Sequence, residues 1–361
     1  MTGDPASSLD EAAPARPPPP ARYLTLDAMR GVAALTVVCF HLAPWTVRSG
    51  YLAVDFFFLL SGFVIARTYG DRLRRGLGFR GFIATRAIRL FPLLAAGVAL
   101  GLIRHLLQIG RASSPALAPV DLILSVVCNL AFLPAPTSPL LSPIDGPTWS
   151  LVLEMAANAA WALLVILGLR RWMPALVAIS AVVLVWAGLN LGSLNAGYTW
   201  EYLHVGFARV AFSFGAGVFF ARFRLNSRQG GWVSAVLCIA LPALLFLRVG
   251  TGSAAYDLTF IFIMGPALFF LGASHEPPVP LRGLARRLGE LSYPIYVIHS
   301  PLLHLVENFA KSVGAPRYVW TPAFLVVAVV LSFFLARYWD GPMRRKLTAL
   351  SGARGAALPA G

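Results

Sequence analysis

Eleven apolar stretches, most of them close to membrane-spanning length, leave this chain few folds to adopt. They lie at about 24–45, 51–66, 90–108, 120–134, 148–169, 174–190, 203–222, 232–248, 256–273, 290–309 and 319–339. A bilayer core needs about 20 consecutive apolar residues in a helix, and most of these stretches supply them. Composition agrees: 58% of residues are hydrophobic and 12% charged, with a mean hydropathy of +0.71. A soluble domain is about 45–50% apolar and 25% charged. The chain is therefore expected to be an all-α, polytopic membrane helix bundle. Cys39, Cys128 and Cys238 lie singly inside apolar stretches and read as small hydrophobes, so neither a disulfide framework nor a metal site is expected.

The net charge of +15 comes almost wholly from arginine, because Lys311 and Lys346 are the only lysines. In such a chain basic residues report topology and not a nucleic-acid partner, since cytoplasmic loops collect them. Arg67, Arg72, Arg74, Arg75, Arg80, Arg86 and Arg89 mark one cytoplasmic segment. Arg170 and Arg171, then Arg222, Arg224 and Arg228, then Arg282, Arg286 and Arg287, then Arg344, Arg345 and Lys346 mark others. Both termini then fall in the cytoplasm, which requires an even number of crossings. One stretch between 90 and 134 must fail to cross, and the short one at 120–134, with Asn129 inside it, is expected to be re-entrant or only partly inserted. That leaves about ten transmembrane helices, with the Pro-rich loop 134–147, free of arginine and lysine, outside. Residues 1–22, rich in Pro and Ala and without an apolar core, read as a disordered cytoplasmic tail. Residues 23–340 form one membrane domain, and 341–361 a basic cytoplasmic tail.

Polar residues inside the spans are few, and the first span carries the most informative pair. Thr25 is placed to cap its helix and Asp27 falls in the first turn, where an acid suits the helix dipole. Arg30 and His41 are eleven residues apart with only Gly, Ala, Val, Leu, Thr, Cys and Phe between them. Eleven residues make three turns plus about 20°, so both project from one face, roughly 16 Å apart along the axis. Charged groups in a span usually face a polar cavity, although Arg30 could instead snorkel to the headgroups with His41 at the far interface. The second span holds Asp55 and Ser61, with Gly62 inviting close helix packing. Trp149, Ser150 and Glu154 open the span after the outside loop, Ser150 and Glu154 on one face. Tyr293, Tyr296 and His299 share a face near the C-terminus. Each has a structural alternative: Asp55 pairing with an arginine, Glu154 capping its own helix, and Trp149 and the tyrosines forming interfacial belts. One shared polar chamber accounts for all four helices together.

These residues also resemble a family. Arg30 and His41, ten residues between them, match the first-span signature of the acyltransferase 3 family of bacterial integral-membrane O-acyltransferases. Val54 to Phe63 (VDFFFLLSGF) resembles the family's second-span segment, and Arg86, Arg89 and Pro92 match its R-x-x-R-x-x-P. Trp149 to Glu154 (WSLVLE) and Ser292 to His299 (SYPIYVIH) complete five motifs in the family's order, over about residues 23–339. One departure is Met155 to Ala160, where many members carry an aromatic pair; the acceptor pocket is where that difference is expected to act. No fused extracytoplasmic hydrolase-like domain is seen, so the membrane domain is expected to act alone or with a partner protein.

The resemblance implies transfer of an acyl group, commonly acetyl, from cytoplasmic acyl-CoA to a hydroxyl of a sugar or glycoconjugate. It implies a multi-pass protein of the bacterial inner membrane with both termini cytoplasmic. Acyl-CoA is then a co-substrate, with no bound cofactor. An alcohol is a poor nucleophile at neutral pH, and imidazole suits the task of general base, so that role is expected of His41, with an acyl-His intermediate as a variant. Arg30 is expected to hold the CoA pyrophosphate or stabilise the oxyanion. Arg86 and Arg89 stand where a phosphate-rich donor arrives, and Glu154 is expected to orient His41 or the acceptor hydroxyl. Asp55, Ser61, Trp149, Ser150, Tyr296 and His299 are expected to line the supporting chamber. A transporter or flippase for a glycolipid or organic anion would also bury ionisable groups in a ten-helix bundle, but would more often show inverted repeats and broken helices. A sensor or assembly scaffold would not need the Arg30–His41 geometry.

Overall fold

The computed structural model describes residues 22–108, 117–223, 231–247 and 253–351. Nearly all of the expected tail at 1–22, Arg224, Arg228 and the last residues of the 341–361 tail lie outside them. The described residues form α1 (Leu24–Leu42), α2 (Ala53–Arg74), α3 (Phe79–Gln108), α4 (Pro119–Leu130), α5 (Trp149–Ile166), α6 (Met173–Leu191), α7 (Leu203–Phe220), α8 (Val233–Phe246), α9 (Ser253–Thr259), α10 (Gly265–Ser274), α11 (Arg282–Ser312), α12 (Arg317–Phe334) and α13 (Gly341–Leu350). The protein is an all-α, polytopic membrane bundle, with no strand among the described residues.

Eight described helices, with α9 and α10 counted as one, are long and apolar enough to cross a membrane. Two more join them: α8 is apolar but has 14 residues, and α11 has 31 residues with charges at its start. These ten run alternately between two ends of the bundle, one rich in arginine and one poor in it. The 12-residue α4 is the exception. It is about 18 Å long, short of a hydrocarbon core of about 30 Å. It also joins two helices that already meet at the arginine-poor end, where Arg104 of α3 donates to the Pro143 carbonyl just ahead of α5. Removing α4 from the crossings makes α1 and α11 parallel, as their side-chain pairings require: Arg30 meets Ser292 and His41 meets His299.

Local chemistry sets several of these elements. Thr25 does not cap α1; its hydroxyl donates to the His275 carbonyl. The cap comes from elsewhere in the chain, as the Leu24 N–H donates to the Glu276 carboxylate at 3.2–3.3 Å. An acid there suits the positive end of the helix dipole. Burial pushes the Glu276 carboxyl above its ordinary range despite that bond. Gly62 does mark a close crossing: a Cβ there would lie 2.0 Å from the Phe214 carbonyl oxygen, and one on Gly217 would lie 2.1 Å from that of Leu59. Paired glycines thus let α2 and α7 touch through their backbones. Two π-helical turns, Phe260–Met264 and Leu335–Asp340, each run into a Gly-Pro step, Gly265-Pro266 and Gly341-Pro342. A proline ring crowds the carbonyl four residues back and supplies no N–H, so the preceding turn widens.

Candidate active site

The seam between α1 and α11 gathers the first set of polar residues. Arg30 Nε donates to Ser292 Oγ at 2.9 Å and Nη2 to the Gly289 carbonyl at 2.7 Å, with Asp27 at 3.5 Å. Gly289 is required there, because a Cβ would lie 2.7 Å from Asp27 Cβ. From the other side, α2, α3 and α5 bring Ser61, Arg86 and Glu154 together. Ser61 donates to Glu154 Oε1 at 2.6 Å, and Arg86 Nη2 reaches the same oxygen at 3.2 Å. Arg86 is buried, and its Nε has no partner. Arg89, on the same helix, is half-buried and within electrostatic range of Arg86, Arg30 and Arg344. Tyr293 donates to the Leu90 carbonyl at 2.7 Å beside this group. The arginine-rich end thus holds a cationic cluster with donor capacity that the protein does not use.

Toward the other end, two imidazoles meet. His41 Nδ1 lies 2.9 Å from the Val37 carbonyl and 3.3 Å from His299 Nε2. A carbonyl only accepts, so Nδ1 carries the hydrogen and His41 Nε2 keeps its lone pair. His299 Nδ1 is 2.6 Å from the Tyr296 carbonyl and 3.2 Å from that of Ile295, which fixes the same tautomer and points its Nε2 lone pair at His41. His299 is wholly buried, whereas His41 is exposed. Next to the pair, Tyr296 and Ser150 are hydrogen-bonded at 2.7 Å, and both hydroxyls reach the Pro147 carbonyl at 3.0 Å.

Three expectations about roles need correction. Of the two partners expected for Glu154, His41 is not met: Glu154 is bound to Ser61 and Arg86, and His299 faces His41 instead, while a contact of Glu154 with the acceptor hydroxyl stays a proposal. Asp55 is not in the chamber. It forms a buried ion pair with Arg209 of α7, whose Nε lies 3.2 Å from both carboxylate oxygens. Arg209 also donates to the Ala196 carbonyl at 2.9 Å and the Tyr51 carbonyl at 3.1 Å. Trp149 belongs with this pair, its ring 5.6 Å from the Arg209 guanidinium. The network continues through Tyr51, whose hydroxyl donates to Asp257 at 2.7 Å. Arg209, Tyr51 and Asp257 were not singled out in the sequence; the one arginine within 203–220, well inside the apolar stretch, was the available signal. Asp145, in the loop before α5, was also missed. Its carboxylate is buried with neither oxygen partnered, and burial pushes its pKa well above the usual carboxylate range although Arg104 opposes the shift.

Known proteins share these elements. A family model described as an acyltransferase domain matches residues 23–337, which carry every residue of the α1–α11 seam. Protein 2 in the picA locus of Rhizobium radiobacter is 37% identical over 185 residues, 46% of this chain and 95% of that protein. A putative peptidoglycan O-acetyltransferase, YrhL of Bacillus subtilis (strain 168), is 38% identical over 76 residues, 20% of this chain and 12% of its own length. No solved structure matches the chain. With the match running from the start of α1 through α12, and with the Arg30–His41 helix at its head, the chain belongs to the acyltransferase 3 family of membrane O-acyltransferases.

Proposed function

We propose that the protein moves an acyl group, acetyl in the simplest case, from acyl-CoA to a hydroxyl of a sugar or glycoconjugate, with His41 as general base. The observation that carries this reading is the His41 ring itself: Nδ1–H is held by the Val37 carbonyl and His299, and the unprotonated Nε2 is left for a substrate. In the reaction Nε2 takes the acceptor's hydroxyl proton as the oxygen attacks the thioester carbonyl. The C–S bond breaks, the C–O ester bond forms, and the proton leaves with the CoA thiolate as a thiol. While His41 is doubly protonated, its Nδ1–H still faces two acceptors, which stabilises the cation. His299 is a positioning residue in this scheme.

The donor's phosphates belong at the arginine-rich end, which this reading places in the cytoplasm together with both chain termini. Arg86 Nε and the Arg89 guanidinium supply hydrogen-bond donors there, and Arg30 lines the same cluster. Arg30 and His41 stand roughly 16 Å apart along α1, the span a CoA arm would cover between phosphates and thioester. Ala34 and Val37 between them are buried, so passage of that arm requires α1 to part locally from its neighbours. The name of the Bacillus subtilis relative supports acetyl as the group and a glycan hydroxyl as the acceptor. Purified protein given acyl-CoA and extracted surface glycans should release free CoA thiol and yield acylated glycan. Thiol release that does not depend on the glycan would refute the transfer, and absence of both products would leave a transporter as the better reading. Cysteines placed at exposed Thr137 and Arg75, with the native three removed, test orientation: outside reagent should label Thr137→Cys alone.

A further inference from the structure

A second site lies apart from the α1–α11 seam. Between α2, α5, α6 and α7, at the arginine-rich end, is a cavity of about 570 Å³ that shares no residue with the Arg30–His41 group. That volume falls within the range of small-molecule sites, about 300–1,000 Å³. Arg67, Arg74, Arg170 and Arg222 line it, against a single carboxylate, Asp71. Asp71 is taken by Arg74. Arg67 binds the Tyr23 hydroxyl at 2.9 Å and the Phe223 carbonyl at 3.4 Å, and Arg222 lies 6.0 Å from the Phe219 ring. No carboxylate among the described residues pairs with Arg67, Arg170 or Arg222. A preference for arginine in cytoplasmic loops explains why these residues are present. It does not explain why the end of α2, the turn before α6 and the end of α7 aim theirs at one hollow.

The remaining wall is apolar, with Phe63, Trp161 and Val218 buried in it. Val64 also lines the cavity and is 42% exposed, and Leu163 and Phe219, next in sequence to the lining residues Leu164 and Val218, are exposed too. On spanning helices such side chains face acyl chains, so the mouth borders both the hydrocarbon and the headgroup level. A water-soluble phosphate compound has no use for that apolar rim, whereas a phospholipid uses both halves. We propose that this cavity is a binding site for an anionic phospholipid of the leaflet at the arginine-rich end, its headgroup phosphate held by Arg67, Arg170 and Arg222. Guanidinium groups suit phosphate oxygens, with paired donors on each. Because Arg67 also holds Tyr23 at the start of α1, an occupant engages the residue that anchors the helix of Arg30 and His41.

The test reads binding and is independent of acyl transfer. Full-length protein purified in neutral detergent is titrated with phosphatidylglycerol, phosphatidylcholine, inorganic phosphate and CoA, following melting temperature and lipid adducts by native mass spectrometry. Phosphatidylglycerol should raise the melting temperature and persist as an adduct, and phosphatidylcholine should do neither. The combined variant Arg67→Gln, Arg170→Gln, Arg222→Gln should bind roughly a hundredfold more weakly, and lysine at the same three positions should restore most of the affinity. Arg170→Gln alone, which removes no side-chain hydrogen bond or ion pair among the described residues, should weaken binding even if the combined variant fails to fold. An equal response to phosphatidylcholine would overturn the proposal, as would a phosphatidylglycerol adduct unchanged by Arg170→Gln. Displacement of the lipid by CoA or inorganic phosphate would assign the cavity to a soluble ligand and also overturn it.

Discussion

Two networks inside this bundle each join arginine to carboxylate and hydroxyl groups. Around Arg209, every guanidinium nitrogen has a protein partner: Asp55, Ala196 and Tyr51 take its hydrogens and Trp149 covers its face. Asp257 is likewise saturated, accepting from Tyr51, Ser193 and the Leu194 N–H. Around Arg30 and His41 the accounting does not close. Arg86 Nε has no partner, and the exposed His41 holds a lone pair toward no protein donor. An ionisable residue inside a span is a functional candidate by default, yet here Asp55, Arg209 and Asp257 make structure. Unused hydrogen-bonding capacity, and not charge in the membrane, separates the two groups.

The sharpest way to break that distinction is at His41. His41→Ala and His41→Asn should each lower acyl transfer by about 10²–10⁴-fold, the range for losing a positioned general base. Both should insert and melt like the parent, since Asn keeps a hydrogen-bonding edge and Ala removes a polar group. Membrane abundance, melting in detergent and transfer rate are the measurements. Activity within about threefold of the parent at equal abundance would remove His41 from the chemistry.

At Arg209 the opposite pattern is expected. Arg209→Met strands Asp55 in the core and should cost about 3–5 kcal/mol of stability. Adding Asp55→Leu should restore much of it, because replacing a buried pair by apolar side chains is often neutral. The double variant should transfer acyl groups at the parent's rate per folded molecule. A stable but inactive double variant would place this network in the reaction and erase the comparison.

Sequence alone carried the architecture a long way. Arginine counts set the alternation of the spans, parity required one stretch between 90 and 134 not to cross, and shortness together with Asn129 pointed to 120–134; α4, 12 residues long, lies there. The α1 face shared by Arg30 and His41 also follows from spacing, because a helix fixes it locally. What could not be read was which helix meets which. Asp55 and Arg209 are 154 residues apart, His41 and His299 258 apart. No local pattern encodes such meetings. The same blindness misassigned Glu154, whose position on its own helix face is right but whose neighbours come from α2 and α3. Thr25 failed for a related reason: its hydroxyl had a partner from the distant His275, and the cap came from Glu276.

The donor side gives a smaller effect. Arg89→Gln should raise the KM for acyl-CoA roughly tenfold and leave that for the acceptor alone, as one charge-assisted hydrogen bond is worth about 1.5–3 kcal/mol. Arg86→Gln should do the same while also loosening Glu154, so its abundance should fall slightly further. An ordinary donor KM in the surviving protein, with abundance reduced, would show that these arginines serve insertion and not binding.

Asp145 tests the rule where it is least comfortable, with a buried acid that has neither a partner nor a place in the chemistry. Its pKa is raised well above normal because its site excludes water, and nearby Arg104 only partly offsets this. The folded state then holds a proton that the unfolded chain, with an Asp pKa of about 3.9, has already released. Stability must therefore fall as pH rises from about 4 toward the folded-state pKa, by at most about 1.4 kcal/mol per pH unit. Asp145→Asn keeps the shape and cannot ionise, so it should match the parent in acid and melt above it near neutrality. The gap should widen with pH between about 5 and 8 if the folded pKa lies within or above that interval. Melting curves in detergent across that range measure it. A variant that melts below the parent at neutral pH would mean that Asp145 is ionised and paired with Arg104, and the saturated class would gain a second ion pair.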